Sequence, residues 1–74
     1  MLHVFVTSPE QLLFDGPAQR AVFPGEQGVF EVLTLHRPLV SRLSGGVMEI
    51  DDRAFQIRRG VVRVADDVVT AIVE

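Results

Sequence analysis

The chain has 74 residues, with seven basic and ten acidic side chains and a formal net charge of −3. This length supports one domain, residues 1–74, and the acidic balance excludes the basic face that nucleic-acid binding requires. Cysteine is absent and all seven basic residues are arginine, which excludes disulfides, thiolate zinc sites, P-loops and carrier domains modified on lysine.

The first third of the chain predicts three strands, over residues 2–7, 11–14 and 18–23. In the first strand, Leu2, Val4 and Val6 share one face, which is the period of two expected of a strand. Phe5 makes the opposite face apolar as well. Apolar groups on both faces are typical of a sandwich that also buries an outer face on a partner.

Two further features concern the end of the second strand and the start of the chain. Asp15, Gly16 and Pro17 predict a turn that ends the second strand, because these residue types favour turns. The chain opens with neither a basic segment nor a long apolar run. We therefore predict no signal peptide and no membrane span.

The central stretch, residues 23–40, carries most of the information about function. Gly25 and Gly28 frame a turn in which both could adopt positive φ. A short apolar strand follows around the charged Glu31. Pro38 then interrupts the strand pattern, so His36 and Arg37 are predicted to lie in a loop between two strands.

The second half predicts five more strands, over residues 39–43, 47–50, 54–58, 60–65 and 68–73. Asp66 and Asp67 suit an Asx-type turn within the last hairpin. Because short strands recur with turn signals between them and no window has helical periodicity, we predict an all-β fold. It is a small sandwich or flattened barrel of about eight to ten short, mostly antiparallel strands.

The order of residues in the central stretch also carries a resemblance to a known family. A Gly-Glu-x-Gly turn at Gly25, an apolar strand, a loop with His36 and then Pro-Leu-Val-Ser from Pro38 resemble the N-terminal β-sandwich domain of the epsilon subunit of the F-type rotary ATP synthase. Matching segments occur along the whole chain: Val6-Thr7-Ser8-Pro9-Glu10, Phe14-Asp15-Gly16, Phe55-Gln56-Ile57, Gly60-Val61-Val62 and the closing Val69-Thr70-Ala71-Ile72-Val73-Glu74.

The resemblance implies a non-catalytic rotor subunit of the central stalk, without a cofactor. Such a subunit links the gamma subunit to the c-ring in proton- or sodium-driven ATP synthesis, at the cytoplasmic face of the inner membrane. Family members usually continue into a C-terminal helical hairpin, whereas this sequence ends at Glu74. We therefore expect a rotor role without the inhibitory helical arm, and both a naturally short form and an excised domain fit the sequence.

By the same resemblance, five residues are predicted on the c-ring side: Glu26, Val29, Glu31, His36 and Arg37. Glu26, Glu31 and Arg37 are predicted to form one charged rim. Two departures from the family fall here, since Glu31 stands where glycine is usual and Thr34-Leu35-His36-Arg37-Pro38 replaces Pro-Gly-His-Ala-Pro.

Other functions have weaker support in the sequence. His3 and His36 are too few for a metal cluster, and the pairs Asp51-Asp52 and Asp66-Asp67 are too short for a calcium loop. No nucleophile with a neighbouring base is visible, so no enzyme activity is predicted. The alternative that remains is a free-standing cytosolic β-sandwich that binds a peptide or small ligand, with His36 and Arg37 lining its site.

Overall fold

The computed structural model describes all 74 residues, and its regular structure consists entirely of strands. There is no helix, and hence none that could cross a membrane. The predicted all-β fold is confirmed, with nine strands: β1 Leu2–Thr7, β2 Leu12–Ala18, β3 Arg20–Gly25, β4 Gly28–Leu33, β5 Leu39–Leu43, β6 Gly46–Ile50, β7 Arg53–Ile57, β8 Gly60–Ala65 and β9 Val68–Val73.

The nine strands form one sheet that folds over on itself. Its order is β2-β1-β9-β8-β5-β3-β6-β7, with β4 attached to the other edge of β3. Every pairing is antiparallel except β1 with β9. Strands β5 and β3 meet only at the pair Gly25 and Leu43. This narrow junction divides the sheet into a five-stranded layer (β2, β1, β9, β8, β5) and a four-stranded layer (β4, β3, β6, β7).

The core lies between these two layers. It contains 16 buried hydrophobic residues and no buried polar or charged side chain. Along β1 and β9 the buried residues alternate with outward ones, because successive side chains of a strand point to opposite faces. Leu2 and Val4 are in the core, whereas Phe5 lies on the outer face of the five-stranded layer.

The turn predicted at Asp15, Gly16 and Pro17 is wrong, because β2 continues through these residues to Ala18. Pro17 lies opposite His3, and β2 has no partner on its other side. A proline is tolerated in such an edge strand because its missing N–H would face solvent.

The chain bends instead at Gln19, between β2 and β3. The carboxylate of Asp51 accepts hydrogen bonds there from the backbone N–H groups of Gln19, at 2.9 Å, and of Arg20, at 3.1 Å. The side chain that stabilises this bend therefore comes from the distant β6–β7 turn.

Two of the predicted turns are tight hairpins. Asp66 and Asp67 join β8 to β9 with φ values of 54° and 61°, as in a type I′ turn. At the β3–β4 turn only Gly28 has positive φ, at 128°. Gly25 is required for a different reason, since a Cβ there would lie 2.8 Å from the carbonyl oxygen of Gly28.

Candidate partner interface

The five residues predicted to contact a partner are distributed along β4 and its two ends. Glu26 is in the turn before the strand, Val29 and Glu31 are in the strand, and His36 and Arg37 are in the loop after it. Because β4 has six residues, its ends are about 17–20 Å apart. The predicted charged rim of Glu26, Glu31 and Arg37 therefore does not form as one cluster. What the five residues share is that they lie on or beside β4, an edge strand that pairs only with β3.

Glu31 belongs to an ion-pair triad on the outer face of the four-stranded layer. Arg20 Nε donates a hydrogen bond to Glu31 Oε2 at 2.8 Å, and Arg20 Nη1 lies 3.8 Å from Glu49 Oε1. The hydrogen bond with Glu31 is the main reason that the pKa of Arg20 rises above its ordinary value. All three side chains are 42–47% exposed, so the triad contributes little to stability.

Sequence reasoning missed Arg20 and Glu49. Val22 on β3 lies opposite both Glu31 on β4 and Glu49 on β6. Arg20 is two residues before Val22 on the same strand, so a carboxylate lies close to it on each side of β3. Arg20 and Glu31 are brought together by the two-residue turn between Gly25 and Gly28, which determines the register of the hairpin. The contact between Arg20 and Glu31 could therefore be predicted from the sequence. The pairing of β6 with β3, which brings Glu49 to Arg20, could not.

The loop carrying His36 and Arg37 is held by a contact from another hairpin. Leu35 has φ 67° and its backbone N–H donates to Asp67 Oδ1 at 2.7 Å. The N–H of His36 donates to the Leu33 carbonyl at 3.1 Å, and His36 Nδ1 donates to the Arg37 carbonyl at 2.6 Å. Leu35 is 86% exposed, so the loop presents a leucine, an imidazole and a guanidinium on a restrained backbone.

One cleft lies between the β3–β4 turn and β5. It has a volume of about 490 Å³ and is lined by residues 25–30 and 39–42. Phe30 and Leu39, which pack against the core, are part of this lining. Neither His36 nor Arg37 lines this or any other cleft of the protein. No cleft of the protein therefore encloses these two side chains.

Comparison with known families gives one match that extends over the entire chain. A family profile described as "ATP synthase, Delta/Epsilon chain, beta-sandwich domain" matches residues 1–74. Among curated proteins, the chain is 38% identical over 78 residues to the ATP synthase epsilon chain of a Nitratiruptor species, covering 99% of this chain and 60% of that one. It is 35% identical over 77 residues to the ATP synthase epsilon chain of Leptospira borgpetersenii, covering 99% and 61%. The chain thus spans about 60% of the length of these relatives.

Two solved structures have the same fold. A chain in the central stalk/c-ring structure of the Tetrahymena thermophila mitochondrial ATP synthase superimposes with a TM-score of 0.83 at 18% identity, covering 97% of this chain and 62% of that one. A chain in the Euglena gracilis mitochondrial ATP synthase structure, described as OSCP/F1/c-ring, gives a TM-score of 0.86 at 23% identity, covering 97% and 49%. At these identities the likeness concerns the fold alone.

Proposed function

Because this chain belongs to the ATP synthase delta/epsilon family, whose beta-sandwich domain it matches over residues 1–74, we propose that it is a non-catalytic part of the rotor. In this role it joins the gamma subunit to the c-ring in ion-driven ATP synthesis. The full-length family match is the observation that carries the proposal. The two structural relatives support it, since both come from ATP synthase structures that include the c-ring.

The role requires contact area and shape rather than a reactive group. A rotor joint transmits torque through packed surfaces, and such surfaces are built from apolar centres with polar rims. The chain has ten exposed large hydrophobic residues, which supply such centres. Its place would be the cytoplasmic face of the inner membrane, where it is held through the complex.

We propose that the free edge of β4 is the side that faces the c-ring. This edge is one continuous line from Glu26 in the turn, past Val29 and Glu31, to His36 and Arg37 in the loop. A flat ring surface can contact all five along a line although they do not form a cluster. Glu31 reaches such a surface already paired with Arg20, whereas Arg37 has no ion pair within the chain and is free to meet a carboxylate.

The proposal is tested by mixing the protein with the gamma subunit from the same source and separating the products by size-exclusion chromatography. A one-to-one complex that elutes ahead of the free chain is the expected result. A folded chain that elutes alone at micromolar concentrations of both proteins would contradict the rotor role.

The c-ring side is tested on the gamma complex with purified c-ring. Arg37→Glu should weaken capture of the complex by the ring about tenfold, because it reverses a charge at the contact. Arg58→Glu is the matched control, since Arg58 is also exposed and lies outside the β4 edge and its flanking loops. Equal ring binding by both variants would remove Arg37 from the interface without affecting the gamma result.

A further inference from the structure

The two layers of the sandwich are joined differently on its two sides. On one side, β5 and β3 meet at the pair Gly25 and Leu43, and the N–H of Ser44 donates to the Pro24 carbonyl at 2.8 Å. On the other side lie β2 and β7, which are the two ends of the strand order. No ladder of backbone hydrogen bonds joins β2 to β7. We call the gap between these two strands the seam.

A stack of three side chains covers the seam. The Cζ atom of Arg53, the first residue of β7, lies 5.5 Å from the ring centroid of Phe14 on β2. It also lies 5.5 Å from the ring centroid of Phe55 on β7. Both distances are within the roughly 6 Å over which an aromatic ring attracts a guanidinium. One guanidinium thus contacts an aromatic ring of each layer.

The stack lies over the core at the edge of the four-stranded layer. Phe55 lies opposite Met48 on β6, and Arg53 lies opposite Ile50. Met48 and Ile50 are fully buried, and directly opposed residues share one face of a sheet. Phe14 and Phe55 are partly buried and pack against the core, whereas Arg53 is exposed. The guanidinium is therefore the outermost group between solvent and this part of the core.

The chain provides no other partner for the charge of Arg53. Arg20 and Arg59 each contact a glutamate at 2.8 Å, but Arg53 forms no ion pair. Attraction between an exposed guanidinium and an aromatic ring is weak. The stack can therefore break and form again while the backbone hydrogen bonds of the two layers stay intact.

The two ends of the seam differ in how firmly they are held. At one end, the Asp51 carboxylate accepts the backbone N–H groups of Gln19 and Arg20, which ties the chain after β2 to the turn before β7. At the other end, a polar cleft of about 430 Å³ is lined by residues 8–10, 58 and 74. The strands β2 and β7 can thus separate on the side of this cleft while the Asp51 contacts persist.

We propose that the stack of Phe14, Arg53 and Phe55 is a clasp that holds the sandwich shut, and that the domain opens locally along the seam when the clasp breaks. The opening moves Phe55 away from Met48 and admits water and small oxidants to the Met48 thioether. The junction between β5 and β3 remains closed. The clasp does not depend on the proposed rotor function, since it is a property of the free domain.

Oxidation of the two native methionines measures this opening. Met48 is fully buried, whereas Met1 is 68% exposed and serves as the internal reference. Hydrogen peroxide transfers one oxygen atom to the thioether and leaves water, and mass spectrometry follows the sulfoxide at each site. We expect Arg53→Gln to raise the rate of Met48 oxidation about fivefold to thirtyfold, as expected for the loss of two cation–π contacts at an exposed site. The rate at Met1 should not change.

Three variants control for other effects of the substitution. Arg63→Gln removes another exposed arginine without an ion pair, on β8, and should leave the Met48 rate at the wild-type value. Arg53→Lys keeps the charge but loses the planar group that stacks on the rings, so its rate should be intermediate. Adding Arg53→Gln to Phe14→Leu should raise the rate less than Arg53→Gln does alone, because both residues belong to one stack.

Urea distinguishes local opening from global unfolding. Local opening exposes little surface, so the Met48 rate should rise less steeply with urea than the global unfolding constant does. Amide hydrogen exchange in Arg53→Gln should accelerate in β2 and β7 but not in the β8–β9 hairpin. Equal Met48 rates in Arg53→Gln and Arg63→Gln would overturn the clasp. Oxidation of Met48 that follows global unfolding in every variant would overturn it as well.

Discussion

Asp67 connects three parts of the structure, and its replacement by glycine should destabilise the domain measurably. Its Oδ1 accepts the N–H of Leu35 at 2.7 Å, and its carbonyl accepts the N–H of His3 at 2.9 Å. Glycine adopts the required φ of 61° and keeps the carbonyl contact, so only the carboxylate contact is lost. Hydrogen bonds to charged groups contribute about 1.5–3 kcal/mol. Because this one is exposed, we expect a loss of about 1–2 kcal/mol.

Asp66→Gly is the matched control. Asp66 has φ 54° in the same turn, and its side chain makes no hydrogen bond. The relief of left-handed strain and the greater entropy of the unfolded chain nearly cancel, so this variant should remain within about 0.5 kcal/mol of the wild type.

The free energies of unfolding of the two variants and the wild type are measured by urea unfolding, with far-ultraviolet circular dichroism as the signal. For a domain of this size, a loss of about 1–2 kcal/mol corresponds to a fall in Tm of roughly 4–16 °C. Exchange of the Leu35 amide hydrogen should also accelerate in Asp67→Gly, because its acceptor is gone. If Asp67→Gly and Asp66→Gly agreed within about 0.5 kcal/mol and the Leu35 amide stayed protected, the carboxylate would not be what restrains the loop.

Four further substitutions test the packing and the ion-pair triad by the same unfolding assay. Gly60→Ala should cost about 1–3 kcal/mol, because its Cβ would lie 2.6 Å from the carbonyl oxygen of Ile72. Gly16→Ala, whose Cβ would have no neighbour closer than 3.9 Å, should stay near the wild type, and equal stability of the two variants would refute the close approach. Phe23→Ala should cost about 3–5 kcal/mol because Phe23 is fully buried; a loss below about 1 kcal/mol would contradict this. Arg20→Met should destabilise the domain far less than Phe23→Ala does, and less still at high salt. A loss comparable to that of Phe23→Ala would show that the triad is structural.

The sequence predicted the features that depend on neighbouring residues. Alternation identified the strands, and two adjacent aspartates identified the β8–β9 turn, because the left-handed conformation that such a turn needs is accessible to aspartate. The error at Asp15, Gly16 and Pro17 has the opposite cause. These residues favour a turn locally, but their pairing with Phe5, Val4 and His3 keeps them extended.

The parts of the interface that the sequence did not predict all depend on contacts between distant segments. Arg20 meets Glu49 only because β6 pairs with β3, and the loop at Leu35 is held by Asp67, 32 residues further along the chain. The five-stranded layer likewise forms only when β1 pairs in parallel with β9. A strand shows its own two faces in its sequence, but which strands lie side by side is a property of the topology.

The apolar side chains on the outer face of the five-stranded layer do not contribute to the core. An antiparallel layer needs only one apolar face, and the other commonly carries polar residues. Strand β7 is closer to this rule, since its exposed outward residues are the small Ala54 and the polar Gln56. Strands β8 and β9 place Val61 and Ile72 outward although their opposite faces already bury Val62 and Ala71. Both outward residues lie outside the core, which buries 16 hydrophobic residues without them.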